Sequence, residues 1–352
     1  MSRESTTRLQ VSAHRFQARR SERALRCGQP SGGPAPGGFA LAAGCLLSAV
    51  AVAGAVALAV LRPQPGLGDA PILLDRASGA LYVRVGDTVH PVFNLTSARL
   101  ITGTAADPRP VEASAVGRAR RGPPLGIPGA PSVLGPALDD TATWSLCDDA
   151  ATGTTLIAGV DAPPSGRIDP GEAVAVRSES GTDYLLRSGR RAPVEPLPVA
   201  PRRVSALLLN AVPEAVPVDD VPVPLPPAAT TLCVHWRAGD PDGITLSVGA
   251  GLPLPAGAAP TALAQADGPG PALDAVYLPP GRSAYVRGGT GPAYLIADTG
   301  VRFTVSGAGA ARSLGLPDTP VAVPWPMLAG LPAGPLLGAE QVGATRDVAP
   351  GR

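Results

Sequence analysis

Residues 80–92 read ALYVRVGDTVHPV. Leu81, Val83 and Val85 alternate with Tyr82 and Arg84, Gly86 follows, and a second apolar run ends at Val92. Period-2 alternation on both sides of a short glycine-containing link is a β-hairpin pattern. Aligned against itself, the sequence carries the unit twice more, as DYLLRSGRRAPV at 183–194 and AYLIADTGVRFTV at 293–305. Each copy opens on a tyrosine (Tyr82, Tyr184, Tyr294), turns at a glycine (Gly86, Gly189, Gly300) and closes on a valine (Val92, Val194, Val305).

Helical segments border the hairpins. Asn94 is placed to cap NLTSARLI and Ser306 to cap SGAGAARSLGL, since short polar side chains at that position accept from orphan amides. After Val194 the helical candidate, RRVSALLLNAV, stands further off. The units fall near 72–101, 182–210 and 283–316, and because one hairpin and helix cannot bury its own apolar face, the copies are expected to pack together. Between them, six prolines from Pro213 to Pro227 make 212–228 an extended spacer with too few amide donors for a strand or helix. RARRGPPLGIPGAP at 118–131 reads as loop, and the proline-rich end after Trp325 as a tail lying over the surface. The fold class is therefore mainly β with short helices.

Of 352 residues, 43 are glycine and 43 proline, yet 45 % are hydrophobic, enough for a core. No lysine occurs, which excludes a Walker A lysine, a Schiff-base lysine and a serine–lysine dyad. The formal net charge of +1 is sorted along the chain: residues 1–38 hold seven arginines and two glutamates.

Residues 39–61 (FALAAGCLLSAVAVAGAVALAVL) are free of charge and long enough to cross about 30 Å of hydrocarbon. With the arginines in front of this run, the N-terminus is expected in the cytoplasm of an inner-membrane protein and residues 62–352 outside. A cleaved signal peptide and a lipoprotein processed at Cys45 are the alternatives. The basic stretch before the linker QPSGGPAPGG can form a short helix whose Arg15, Phe16, Arg19, Arg20 and Arg23 would meet lipid or a partner; the plainer reading is a positively charged flank without one.

Of four cysteines, Cys27 is inside, Cys45 in the span, and only Cys147 and Cys233 share an oxidising compartment. Each stands near a tryptophan, Trp144 and Trp236, so a disulfide buried against indole rings is expected, worth about 4–5 kcal/mol in the chain-entropy model. Two buried free thiols or a zinc site are the alternatives, the latter with His235 as its one nearby imidazole. Catalytic signals are thin. His90 and His235 stand alone in strand patterns, and there is no nucleophile elbow, zinc-protease helix or phosphate loop. The acid pairs Asp139–Asp140, Asp148–Asp149 and Asp219–Asp220 lack EF-hand spacing and read as solvated turns. A net acidic exterior with few aromatics argues against nucleic acid. No catalytic, cofactor or metal residues are assigned.

The N-terminal QVSAHRF, the segment ILLDRASGALYVRVGDTVHPVFNLTSARLI, the loop RGPPLGIPGAP, TWSLCDD, VSALLLNAVPEA, LAQADGPGPALDAVYLPPGRSAYV and YLIADTGVRFTV together resemble EccB, the membrane core component of actinobacterial type VII (ESX) secretion systems. The resemblance implies a cytoplasmic N-terminal segment (1–38), one transmembrane helix (39–61) and an elongated periplasmic part (62–352) of hairpin-helix repeats around a central β region, with the family disulfide on Cys147 and Cys233. It implies a structural role beside an EccC-type FtsK-like ATPase, EccD, EccE and other EccB copies. Alternatives are a membrane-tethered wall-binding protein contacting peptidoglycan, after the repeats' likeness to phage-lysin modules, and the ATPase label some members carry, which lacks a phosphate loop here. Members of the family usually carry a further repeat and part of the central domain between the spacer and the second disulfide cysteine, whereas here Pro226 and Pro227 lead almost directly to TLCVHW, so the resemblance implies a shortened chain with an incomplete paired-repeat arrangement.

Overall fold

The computed structural model describes residues 8–27, 36–61 and 66–343, the last stretch without 162–165, 195–196, 198, 216–223, 225–228, 239–242 and 269. Most of the spacer, the pair Asp219–Asp220 and linker residues 29–35 lie outside the described residues. The chain divides into two units, residues 1–64 and 65–352.

The first unit holds α1 (Arg8–Cys27) and α2 (Pro36–Leu61). By length and composition α2 is able to cross a membrane over Leu41–Leu58. It begins three residues ahead of the expected span because Pro36 suits a first helical turn, where its missing N–H is not needed.

In the second unit, β1 (Ile72–Asp75), β2 (Leu81–Val85) and β3 (Thr88–Val92) form an antiparallel meander. Next comes α3 (Leu95–Thr102), and β4 (Arg109–Val111) returns parallel to β1. Asn94 caps α3 as expected, its carboxamide oxygen accepting from Ser97 N–H at 2.8 Å while its amide donates to the Ile127 carbonyl. After α4 (Ala113–Gly117), β5 (Arg120–Arg121) pairs with β3. The stretch 118–131 is thus not all loop: it supplies an edge strand and buries Ile127 and Ala130.

A hairpin of β6 (Thr143–Asp149) and β7 (Gly153–Ala158) starts the central sheet. The chain then builds a separate sheet from β8 (Val174–Arg177), β9 (Asp183–Arg187) and β10 (Arg190–Pro193), with β11 (Arg202–Arg203) parallel to β8. Among the described residues no helix stands between β10 and β11. α5 (Ala206–Ala211) follows the parallel strand, as α4 follows β4, which is why the helical sequence after Val194 is remote.

The chain re-enters the central sheet with β12 (Thr231–Arg237), β13 (Ile244–Gly249), β14 (Thr261–Ala262) and β15 (Ala275–Tyr277), giving the order β13-β12-β6-β7-β15-β14. The last sheet repeats the first one's chain order: β16 (Ser283–Gly288), β17 (Ala293–Ala297) and β18 (Arg302–Val305), then α6 (Gly307–Leu314), then β19 (Val321–Val323) parallel to β16. Ser306 stands at the N-cap of α6 without a side-chain capping bond, so that expectation holds in position only.

α7 (Trp325–Ala329) and α8 (Ala339–Val342) close the described chain. This region corrects the expectation of a surface tail: Met327, Leu328, Leu331, Leu337 and Val342 are buried. Proline limits regular hydrogen bonding but not burial. Here the backbone is satisfied outside helices, with Leu337 N–H donating to the Thr304 carbonyl and Arg302 N–H to that of Pro332. α3 packs on α6 through Leu100 and the cluster of Ala310, Ala311 and Leu314, and α5 packs on α7. α3 and α5 thus have helical partners within the chain, and among the described residues the middle sheet carries no counterpart of α3.

Candidate functional site

Strands β6 and β12 run antiparallel with Cys147 opposite Cys233, Trp144 opposite Trp236 and Ser145 opposite His235. Alternate residues face opposite sides of a sheet. The cysteines stand three residues from the tryptophans, an odd offset, so disulfide and indoles occupy opposite faces. The disulfide joins Cys147 and Cys233. It is buried against Ile157 and Tyr277, while Trp144 belongs to the large core on the other side. Its pairing matches the sequence reading and its expected bed of indole rings does not.

Beside the disulfide, His235 bridges two serines: Nδ1 lies 2.6 Å from Ser145 Oγ and Nε2 2.7 Å from Ser247 Oγ. Each hydroxyl can donate or accept, so in the neutral imidazole one ring nitrogen donates to a serine and the other accepts from one. Burial, with Arg167 nearby, pushes its pKa down to about 4. His235 is a satisfied core group.

On the tryptophan face, Asp148 corrects the reading of its acid pair as a solvated turn. It continues the alternation of Trp144 and Leu146, lies within β6 and is 7 % exposed. Its carboxylate accepts from Ser205 N–H at 2.6 Å, Ser205 Oγ at 2.9 Å and Thr154 Oγ1 at 2.9 Å. Ser205 is also the N-cap of α5, so one carboxyl ties the central sheet to the start of that helix. Burial raises the Asp148 pKa, opposed by those donors and by Arg202. Arg202 donates to the carbonyls of Ala229, Asp148 and Thr230. Asp274 accepts from Thr154, Asp267 and Gly268 amides. These groups line a half-open cavity of about 990 Å³. Sequence reasoning missed them, although the parity of TWSLCDD places Asp148 on the core face. Among the described residues, no three His, Cys, Asp or Glu side chains gather as a metal site.

The three turn glycines all have left-handed φ, 58° at Gly86, 67° at Gly189 and 83° at Gly300, which a Cβ disfavours. Their settings differ. A Cβ at Gly86 would meet nothing within 4 Å, one at Gly189 would lie 1.9 Å from the Ile244 carbonyl oxygen, and one at Gly300 would lie 2.3 Å from Val276 Cγ1. The second and third turns thus rest on central strands. Each copy's tyrosine lies under an arginine, Tyr82 below Arg121, Tyr184 below Arg191 and Tyr294 below Arg302, at 4.7–6.0 Å. Arg15, Phe16, Arg19, Arg20 and Arg23 are exposed on α1.

The family model described as "Type VII secretion system ESX-1, transport TM domain B" matches residues 3–228 and 210–351. The "ESX-5 secretion system ATPase EccB5" of Mycobacterium tuberculosis is 36 % identical over 225 residues, 60 % of this chain and 44 % of that protein. The chain therefore spans less than half the length of that curated relative. The "ESX-3 secretion system ATPase EccB3" of Mycolicibacterium smegmatis is 30 % identical over 425 aligned positions, covering 85 % of this chain and 82 % of that protein. That alignment is longer than these 352 residues, so the relative carries internal sequence this chain lacks, and the family match breaks at 210–228. Among solved structures, a chain of the intact ESX-5 inner membrane complex superposes with a TM-score of 0.68 at 26 % identity, covering 100 % of this chain and 98 % of that one.

Proposed function

Since the chain belongs to the EccB family of type VII secretion membrane proteins, we propose that it is a structural subunit of an ESX inner-membrane complex. In this reading α2 is the single span, residues 1–38 are cytoplasmic, and residues 62–352 form a periplasmic scaffold that associates with copies of itself. The complex would include an EccC-type ATPase, EccD and EccE, exporting proteins across the inner membrane. The observation that carries the reading is the superposition over the whole of this chain on a chain of an intact ESX-5 complex. The charge-free α2 behind seven arginines supports the orientation.

The three sheets are read as copies of one repeat, each a meander with a fourth strand parallel to its first, the middle copy shortened by one helix. Their distribution around the disulfide-linked central sheet suits a rigid spacer. A scaffold is preferred to nucleotide hydrolysis, the activity in the relatives' names, because a chain without lysine has no residue for the usual grip on the β- and γ-phosphates. The test is affinity purification of the tagged full chain from mild detergent. Co-recovery of the EccC-type ATPase and EccD is expected, and reproducible recovery of the chain without either would overturn the proposal.

A further inference from the structure

The arginines of α1 are not scattered. At about 100° per residue, Arg8, Arg15, Arg19 and Arg26 fall within an arc of about 40°, and Arg23 lies about 40° beyond it. One acid, Glu22, borders this strip. The opposite side carries Gln10, Gln17 and Ser21, and the Ser21 hydroxyl is spent on the helix's own carbonyls of Gln17 and Ala18. Two apolar rows flank the strip: Leu9 and Phe16, 81 % and 68 % exposed, on one side, and Val11 with Leu25, 40 % and 85 % exposed, on the other. Arg20 stands apart, about 60° beyond Arg23, so charge and exposed apolar surface together cover the side of the helix turned away from Gln10, Gln17 and Ser21. Like charges stacked along one strip oppose an isolated helix and are relieved by a surface of opposite charge.

What that surface is follows from where the helix is tethered. Eleven residues separate Cys27 from Phe39, where the charge-free run begins. Fully extended they reach about 40 Å, so α1 cannot leave the neighbourhood of the bilayer. Anionic lipids give the cytoplasmic leaflet a negative surface that attracts juxtamembrane arginines, and the guanidinium fork fits phosphate oxygens in pairs. The flanking Leu9, Phe16, Val11 and Leu25 suit the boundary between headgroups and acyl chains, which an acidic protein surface alone would not require. We propose that α1 lies flat on the membrane crossed by α2, with its arginine strip on the phosphates of anionic lipid headgroups. The proposal rests on the reading that residues 1–38 are cytoplasmic.

The test uses the full chain in lipid nanodiscs, with Cys27→Ser and Cys45→Ala and the periplasmic disulfide retained. A nitroxide is placed at Leu9→Cys or, separately, at Gln17→Cys, and collision with oxygen and with a water-soluble nickel chelate is read by electron paramagnetic resonance. In discs with 30 % phosphatidylglycerol, the label at position 9, on the side of the helix, is expected at headgroup depth with nickel collision reduced, and the label at 17 in water. In pure phosphatidylcholine both should be in water, and 0.5 M NaCl should lift the first label out. Combining Arg15→Gln, Arg19→Gln and Arg26→Gln should reduce the bound fraction in anionic discs at least tenfold. Equal insertion in neutral and anionic discs would overturn the proposal in favour of apolar anchoring, and no insertion in either would overturn it in favour of an acidic protein surface. Labelling of Gln17→Cys by an impermeant thiol reagent in oriented vesicles separately reports the side of the membrane, so a failed topology is distinguishable from a failed lipid contact.

Discussion

On one face of the central sheet, Trp144, Leu146, Leu156, Leu232 and Val234 join a core shared with the middle and last sheets. On the other, Cys147, Cys233, Ile157 and Tyr277 form a small cluster bordered by Val160, Leu252, Leu254 and Ala258. The same strands supply both, residue by residue in alternation. The large face is stabilised by apolar area and needs only one buried carboxyl, Asp148, to direct the neighbouring helix. The small face holds a smaller apolar cluster, and it is there that the covalent link and the Ser145–His235–Ser247 bridge occur. Position within the sheet sets where each device is needed.

Removing the disulfide should show the largest effect. Cys147→Ala with Cys233→Ala releases a loop of 86 residues' separation in the unfolded chain, a loss of about 4–5 kcal/mol in the chain-entropy model. Urea unfolding of the detergent-solubilised chain measures it. A loss below about 1 kcal/mol would mean that the small face is held by packing after all.

The matching break on the large face is Asp148→Ala, which leaves the Ser205 amide and hydroxyl and the Thr154 hydroxyl, all buried, without their acceptor. Each buried unsatisfied group costs about 1–3 kcal/mol, so a loss of about 3 kcal/mol is expected. Asp148→Asn keeps an acceptor and removes the buried charge, and should cost less than half as much. If both substitutions were harmless, the tie between the central sheet and α5 would not matter.

Acid should act on the two faces in opposite directions. His235 has its pKa lowered from 6.5 to about 4, so the unfolded chain binds more protons between those values. Stability is full above about pH 6.5 and falls as the pH drops to about 4, by about 3 kcal/mol if this group acts alone. The Asp148 pKa is raised by burial, so its protonation in the folded chain returns some stability as the pH falls toward the ordinary carboxylate range. Asp148→Asn should therefore steepen the acid loss, and His235→Gln should flatten it. An acid profile left unchanged by His235→Gln would exclude a neutral buried His235.

Much of this was legible in the text of the chain. The alternation around Gly86, Gly189 and Gly300 marks the hairpins, and sorting the cysteines by compartment leaves the pair that is joined. Two things were hidden for a physical reason. Partnerships across a sheet depend on parity as well as proximity, so the nearness of tryptophan in TWSLCDD and TLCVHW suggested a contact that the odd offset forbids. The proline-rich end looked unstructured because propensity records hydrogen-bonding habit, whereas the burial of Leu331 and Leu337 depends on a groove made elsewhere in the chain. No local pattern distinguishes Gly86, with open space around it, from Gly189, seated on Ile244.

The smallest expected effects give the sharpest comparison, because they come from adjacent residues of one strand. Thr154 and Thr155 on β7 are both buried, and they point to opposite faces. Thr154 donates its hydroxyl to Asp148, whereas Thr155, opposite Cys147, has a buried Oγ1 with no hydrogen-bond partner. Valine preserves the shape of threonine and replaces the hydroxyl with a methyl. Thr154→Val should cost about 1 kcal/mol, the net worth of one hydrogen bond, and more if Asp148 stays charged. Thr155→Val should stabilise by a similar amount, since the hydroxyl there is desolvated without compensation. Opposite signs in thermal unfolding would show that the faces differ in polarity as the parity of the strand demands. Equal signs would mean that the small face is wetter than its packing indicates.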